Sequence, residues 1–257
     1  MSKNAADKHG QPQGHGKASD LQTPKHTAQK PLILALETSG RIGSVAIAIG
    51  EQRLGETTFS APMRHSAEIF PAVSGLLKGI DQKPKQIEHV YVSVGPGSFT
   101  GLRIAVTMAK IIHLANSAKI IAVDTMDVIA ANATDYIKEE GTKINTIATI
   151  LDAKRGQFFI SVYQNQNSRW QKILPDCLMT ASQFLQQFAD NNQPVWLLGE
   201  GLVYYKDKFE AEGIKFLPER YWNPAAVKVH SLGWEKALAG GFADPLTLTP
   251  IYLRRPV

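Results

Sequence analysis

A single cysteine, Cys177, stands among the 257 residues, so no disulfide can close within the chain. Nothing beside it in sequence suggests a metal site. A reducing cytoplasm is the compartment this implies. No run approaches the roughly 18 consecutive apolar residues that a membrane-spanning helix needs, so no membrane association is expected. The excess of positive over negative charge is also small. The formal net charge is +5, and residues 1–30 alone hold five lysines against two aspartates. The body that remains is too near neutrality to announce a nucleic-acid surface. Residues 1–30 have almost no apolar side chains and no aromatic ones, nor the apolar core of a signal peptide or the arginines of a transit peptide. They are expected to form a disordered polar tail, with His9, His15 and His26 solvated rather than holding metal.

Folded structure is expected from Pro31. "LILALETS" (32–39), "SVAIAIG" (44–50) and "QRLGETTF" (52–59) read as three strands joined by short turns, with Glu37 near the end of the first. The order recurs from residue 146: "TIATILD" ends in Asp152, "AKRG" turns, "QFFISVY" (157–163) returns and "RWQKIL" (169–174) follows. An acid at the same corner of each meander points to duplication. Two similar lobes with their acids facing a cleft describe an α/β fold of the actin, Hsp70 and sugar-kinase type. Domains are expected at 31–140 and 141–257, with helices at 66–80, 99–116, 125–139, 180–190, 202–212 and 224–240. The last of these belongs with the second lobe or crosses back to the first.

In "HSAEIFPAVSGLLKGI" (65–80), Ile69, Val73, Leu76 and Ile80 recur at helical spacing, with Phe70 and Leu77 on another side. Ser66 is the expected N-cap, and Glu68 suits the first turn. Pro71 should kink the helix or delay its start. The helix "FTGLRIAVTMAKIIHLAN" (99–116) is apolar nearly all round, which fits either a central core helix or a face covered by a second protein.

Between strand and helix lies "SVGPGSFTGLR" (93–103). It lacks the Gly-Lys-Ser/Thr of a phosphate-binding Walker loop. Its third glycine, Gly101, falls one position late for a dinucleotide fingerprint. As a generic phosphate motif it is weak.

The run "VGPGSFTGLRIAVTMAK" (94–110), with "ILALETS" (33–39), "RHSAEIFP" (64–71), "LDAKRGQFF" (151–159) and "PIYLR" (250–254), closely resembles the TsaB (YeaZ-like) family. These segments lie in the family's order across residues 31–255. The resemblance implies a two-lobed, ribonuclease H-like member of the actin-like ATPase superfamily that is not itself an enzyme. Such a chain is the dimerisation and scaffold partner of a TsaD-like transferase, which adds threonylcarbamoyl to the tRNA adenosine beside the anticodon. A TsaE-like ATPase joins the complex, tRNA is met only through it, and the chain alone forms a homodimer. Ungapped alignment on the TsaD pattern puts its two metal-binding histidines at Thr125 and Ile129, neither a substitute for imidazole, so no metal site and no catalytic residue are expected. No cofactor is required; nucleotide binding is weak or vestigial, in a cleft of Glu37, Gly95, Gly97, Ser98 and Asp152. The partner interface falls on the helices at 66–80 and 99–116, with Ile69, Val73, Leu76, Leu102, Val106, Met108 and Lys110 as candidates. The alternatives are a residual ATPase or glycoprotease-like hydrolase, disfavoured by the missing ligands, and a direct tRNA-binding module, disfavoured by the body's charge.

Overall fold

A computed structural model describes residues 30–189 and 193–253. The expected tail and its three histidines lie outside the described residues. Strands β1 (Leu32–Glu37), β2 (Ser44–Ile49) and β3 (Gln52–Thr58) form the first antiparallel meander. Helix α1 (His65–Gly79) leads to β4 (His89–Ser93), α2 (Phe99–Asn116) and β5 (Lys119–Val123). β4 lies parallel to β1, and β5 parallel to β4, which closes a sheet of order β3-β2-β1-β4-β5.

Two short helices follow, α3 (Thr125–Ala130) and α4 (Asn132–Glu140). The second sheet is built from β6 (Thr146–Asp152), β7 (Phe158–Gln166), β8 (Arg169–Met179), then α5 (Ala181–Phe188), β9 (Val195–Leu198), α6 (Leu202–Tyr205) and β10 (Ile214–Phe216). Its order, β10-β9-β6-β7-β8, repeats the first sheet strand for strand, as the recurring meanders predict. The chain is thus a duplicated α/β fold of ribonuclease H-like topology.

The first sheet is buried on both faces, which is why β1 and β2 read as nearly unbroken apolar runs. One face (Leu34, Leu36, Ile47, Val90, Val92) packs under Ile69, Val73 and Leu77 of α1 and Ala105, Val106 and Met108 of α2. The opposite face (Ile33, Ala35, Ala46, Tyr91) is covered by α7 (Ala226–Leu238) through Ala226 and Val229. The last helix therefore crosses back to the first sheet. In exchange, Met126, Ile129, Ala130 and Ala133 of α3 and α4 enter the second core with Ile147, Ile150 and Phe158. A division at 140/141 follows the sequence repeat but not the packing.

Other expectations change in detail. The helix expected over 125–139 breaks at Ala131, where Asn132 sends its side-chain amide to the carbonyls of Tyr221 and Asn223. The one expected over 202–212 is a single α turn followed by a 3₁₀ turn, Lys206–Phe209, that drives Phe209 into the core. β8 runs past 174 through Pro175, which is tolerated because β8 is an edge strand. β9 and β10 were not expected. Ser66 is not the N-cap: α1 starts at His65 after Arg64 with no side-chain cap. Its first turn is tied instead through Glu68, which accepts from Ser60 N at 2.7 Å and pairs with Arg64 at 2.8 Å. The helix runs on through Pro71.

Candidate functional site

A cleft of about 900 Å³ opens between the lobes. Of the residues expected there, Gly97, Ser98 and Asp152 line it, while Glu37 and Gly95 do not. Glu37 is fully buried beneath the turn that follows β1. Its Oε1 accepts from Ser39 N at 2.6 Å and Ser39 Oγ at 2.5 Å, and Oε2 has no hydrogen-bond partner. Burial raises its pKa above the ordinary value. Glu37 thus does not face the cleft, because its own turn folds over it.

Asp152 is at the cleft but engaged by its own turn. Lys154 N donates to Oδ1 at 2.7 Å and Lys154 Nζ pairs with Oδ2 at 2.7 Å. Lys154, Arg155 and Gly156 all adopt left-handed backbone, φ 65°, 57° and 73°, and the first two line the cleft. Two non-glycine residues in that region are uncommon.

The glycine loop is stitched to the end of β1. Ser98 N donates to Ser39 O at 2.7 Å, Thr38 Oγ1 donates to Gly101 O at 2.7 Å, and Ser98 caps α2 by accepting from Gly101 N at 3.2 Å. A Cβ on Gly97 would come within 2.6 Å of the Ser39 carbonyl oxygen. The loop lies against protein backbone and aims α2.

Sequence reasoning missed Glu200, Arg41, Tyr204 and Tyr252. Glu200, in the turn that follows β9, reaches across to the β1–β2 turn and accepts from Arg41 N at 2.8 and 3.0 Å. Burial, with a contribution from the nearby Glu37 charge, lifts its pKa to about 7. The Arg41 guanidinium stacks on Tyr204, 4.8 Å from the ring centroid. Tyr252 packs on Phe99, and Ile251 N donates to Val94 O at 2.7 Å, so the segment before the C-terminus crosses the glycine loop. A signal for Glu200 was present: Gly199-Glu200-Gly201 after β9 is the second-half counterpart of Gly95-Pro96-Gly97 after β4. Gly199 and Gly95 have similar φ, 125° and 115°.

The lobes are tied at a second place. Lys172 of β8 pairs with Asp176 at 2.6 Å, Asp127 at 3.0 Å and Asp124 at 3.4 Å, and Tyr163 donates to Asp127 at 2.9 Å. Asp124 also caps α3 by accepting from Met126 N and Asp127 N. Burial, with Asp176 and Asp127 close by, raises its pKa to about 7. Thr125 and Ile129 are both fully buried. Among the described residues, no group of three His, Cys, Asp or Glu side chains could hold a metal ion, and no helix is long and apolar enough to cross a membrane.

The expected interface residues need correction. Ile69, Val73, Val106 and Met108 are at most 6% exposed and fill the chain's own first core, and Leu102 is fully buried beside Gly95 of the glycine loop; Leu76 packs partly buried against the core and Lys110 is half-buried. Helical spacing gave the period, but the sheet takes that stripe. The outward sides of the two helices carry Phe70, Ile111 and Leu114, exposed by 61%, 55% and 80%. Gly75 of α1 has nothing within 4 Å of where a Cβ would stand.

The TsaD family profile, tRNA N6-adenosine threonylcarbamoyltransferase, matches residues 59–211, more than half of the chain. A Bacillus subtilis protein, tRNA threonylcarbamoyladenosine biosynthesis protein TsaB, is 30% identical over 86% of this chain and 93% of its own length. The Escherichia coli protein of the same name is 23% identical over 88% of this chain and 95% of its own. Among solved structures, YeaZ from Pseudomonas aeruginosa superposes with a TM-score of 0.71 at 21% identity, covering 87% of this chain and all of that one. A Pseudomonas aeruginosa structure described as similar to peptidase YEAZ gives a TM-score of 0.74 with the same coverage.

Proposed function

The chain belongs to the TsaB family, within the wider grouping that the TsaD profile describes, and from that premise we propose that it is a non-catalytic docking subunit. A part in tRNA threonylcarbamoyladenosine biosynthesis, alongside a TsaD-like protein, follows from the family. The finer reading rests mainly on one observation. Helices α1 and α2 share one face of the first sheet and turn Phe70, Ile111 and Leu114 outward. Burying exposed apolar area is the main drive for association, and aromatic residues are enriched in protein interfaces. A helix glycine costs roughly 1 kcal/mol relative to alanine; at Gly75 the missing side chain lets a second helix approach closely. A contact of standard size would bury about 800 Å² per partner.

The state of the carboxylates supports a non-catalytic role. Glu37 is buried, Asp152 is held by Lys154 and Glu200 by the Arg41 backbone. Each acid near the cleft is engaged by the chain's own donors rather than presented to a substrate. The cleft requires no cofactor and retains at most weak nucleotide binding. The partner is a TsaD-like transferase, joined by a TsaE-like ATPase, with a homodimer in isolation, tRNA met only through the complex, and the cytoplasm as the setting.

Reconstituted tRNA modification tests this. The isolated chain should transfer nothing, and modification by the TsaD-like and TsaE-like subunits should depend on its addition. Turnover by the purified chain alone, abolished by Asp152→Ala, would overturn it.

A further inference from the structure

The β1–β2 turn is gripped from two sides. From the second lobe, Glu200 accepts from Arg41 N at 2.8 and 3.0 Å. From the first, Met63 N donates to Arg41 O at 2.9 Å, and Nε2 of His65, the opening residue of α1, meets Gly40 O at 3.1 Å. A carbonyl only accepts, so Nε2 carries the hydrogen. His65 is 2% exposed and burial lowers its pKa, which keeps the ring neutral at pH 7. There is little slack between the two grips. A Cβ on Gly40 would lie 2.8 Å from Glu200 Oε1, and one on Gly43 would lie 2.6 Å from His65 Nδ1. Close-packed groups transmit displacement rather than absorb it.

We propose that Glu200 is a positioning residue for partner docking: by fixing the β1–β2 turn it fixes Met63 and His65, and with them the first turn of the helix that presents Phe70. This rests on the docking reading above. The catalytic poverty of the cleft then leaves its acid with a mechanical task at a surface on the other lobe.

The test uses the full chain with Glu200→Leu, which fills the space but accepts no hydrogen bond, and Glu200→Gln, whose amide oxygen still accepts from Arg41. Two quantities are read: hydrogen exchange at the Ala67 and Glu68 amides of the chain alone, and its affinity for the TsaD-like subunit. Glu200→Leu should raise exchange and weaken affinity by about tenfold each, the scale of one hydrogen bond, and Glu200→Gln should restore both. Exchange and affinity unchanged to within about twofold in Glu200→Leu, while Leu114→Glu abolishes association, would overturn this proposal alone. If Leu114→Glu leaves association intact the docking reading fails, yet exchange in the free chain still decides the coupling. Should Glu200→Leu not fold, His65→Phe keeps a ring but cannot donate to Gly40, and tests the relay from its other end.

Discussion

The Thr38 hydroxyl donates to the Gly101 carbonyl at 2.7 Å, and the Thr38 carbonyl oxygen stands where a side chain at residue 101 would begin. This double contact, between the end of β1 and the first turn of α2, explains the third glycine of the loop without reference to phosphate. Gly101→Ala should drive a methyl group into a backbone oxygen that cannot move aside. Denaturation in urea should show a loss of about 3 kcal/mol or more, and a change within about 0.5 kcal/mol would contradict the packing described.

Stability should depend on pH through Glu200. Its folded pKa, about 7, is raised above the ordinary 4.5. Between those values the folded chain holds a proton that the unfolded chain has lost. The contribution is therefore fully present below about pH 4.5 and is lost as pH rises through 7, with a slope of up to about 1.4 kcal/mol per pH unit. Comparing denaturation midpoints of the native chain and Glu200→Gln across pH 4.5–7.5 isolates it, because the variant lacks the ionisation. Parallel profiles would refute the assignment.

Lys172 faces three aspartates and is only 24% exposed. Lys172→Met should leave the negative charge of the cluster uncompensated and cost about 3 kcal/mol. Adding Asp124→Asn should recover part of that loss. Thermal unfolding of the single and double variants reads both, and an additive or neutral result would remove the cluster from the account of how the lobes hold together.

Much of this fold was legible because β1, β2, β6 and β7 pair apolar runs with tight turns, and the pattern occurs twice. What stayed hidden has physical causes. β9 and β10 have four and three residues, too short for any period to register. Helical spacing found Ile69 and Val73, and the family resemblance pointed to Val106, but neither could say whether sheet or partner covers them; the first core claims all three. A glutamate at Val106 would therefore enter the chain's own interior and report on folding, not association. Glu37 looked like a cleft acid because it ends a strand, yet the Ser39 turn closes over it. Glu200 went unseen because its role depends on a contact with Arg41, 159 positions away.

The central claim, that the outward side of α1 and α2 is the docking face, is tested most directly by light scattering. The chain is sized with the TsaD-like subunit, as the native sequence and as Leu114→Glu. Leu114 is 80% exposed, so the substitution should leave the fold intact while placing an unpaired charge in any helix contact, at a cost of several kcal/mol. A one-to-one complex that Leu114→Glu dissolves, with the variant's circular dichroism and melting unchanged, is the result predicted. A complex that forms equally well with the variant would contradict it.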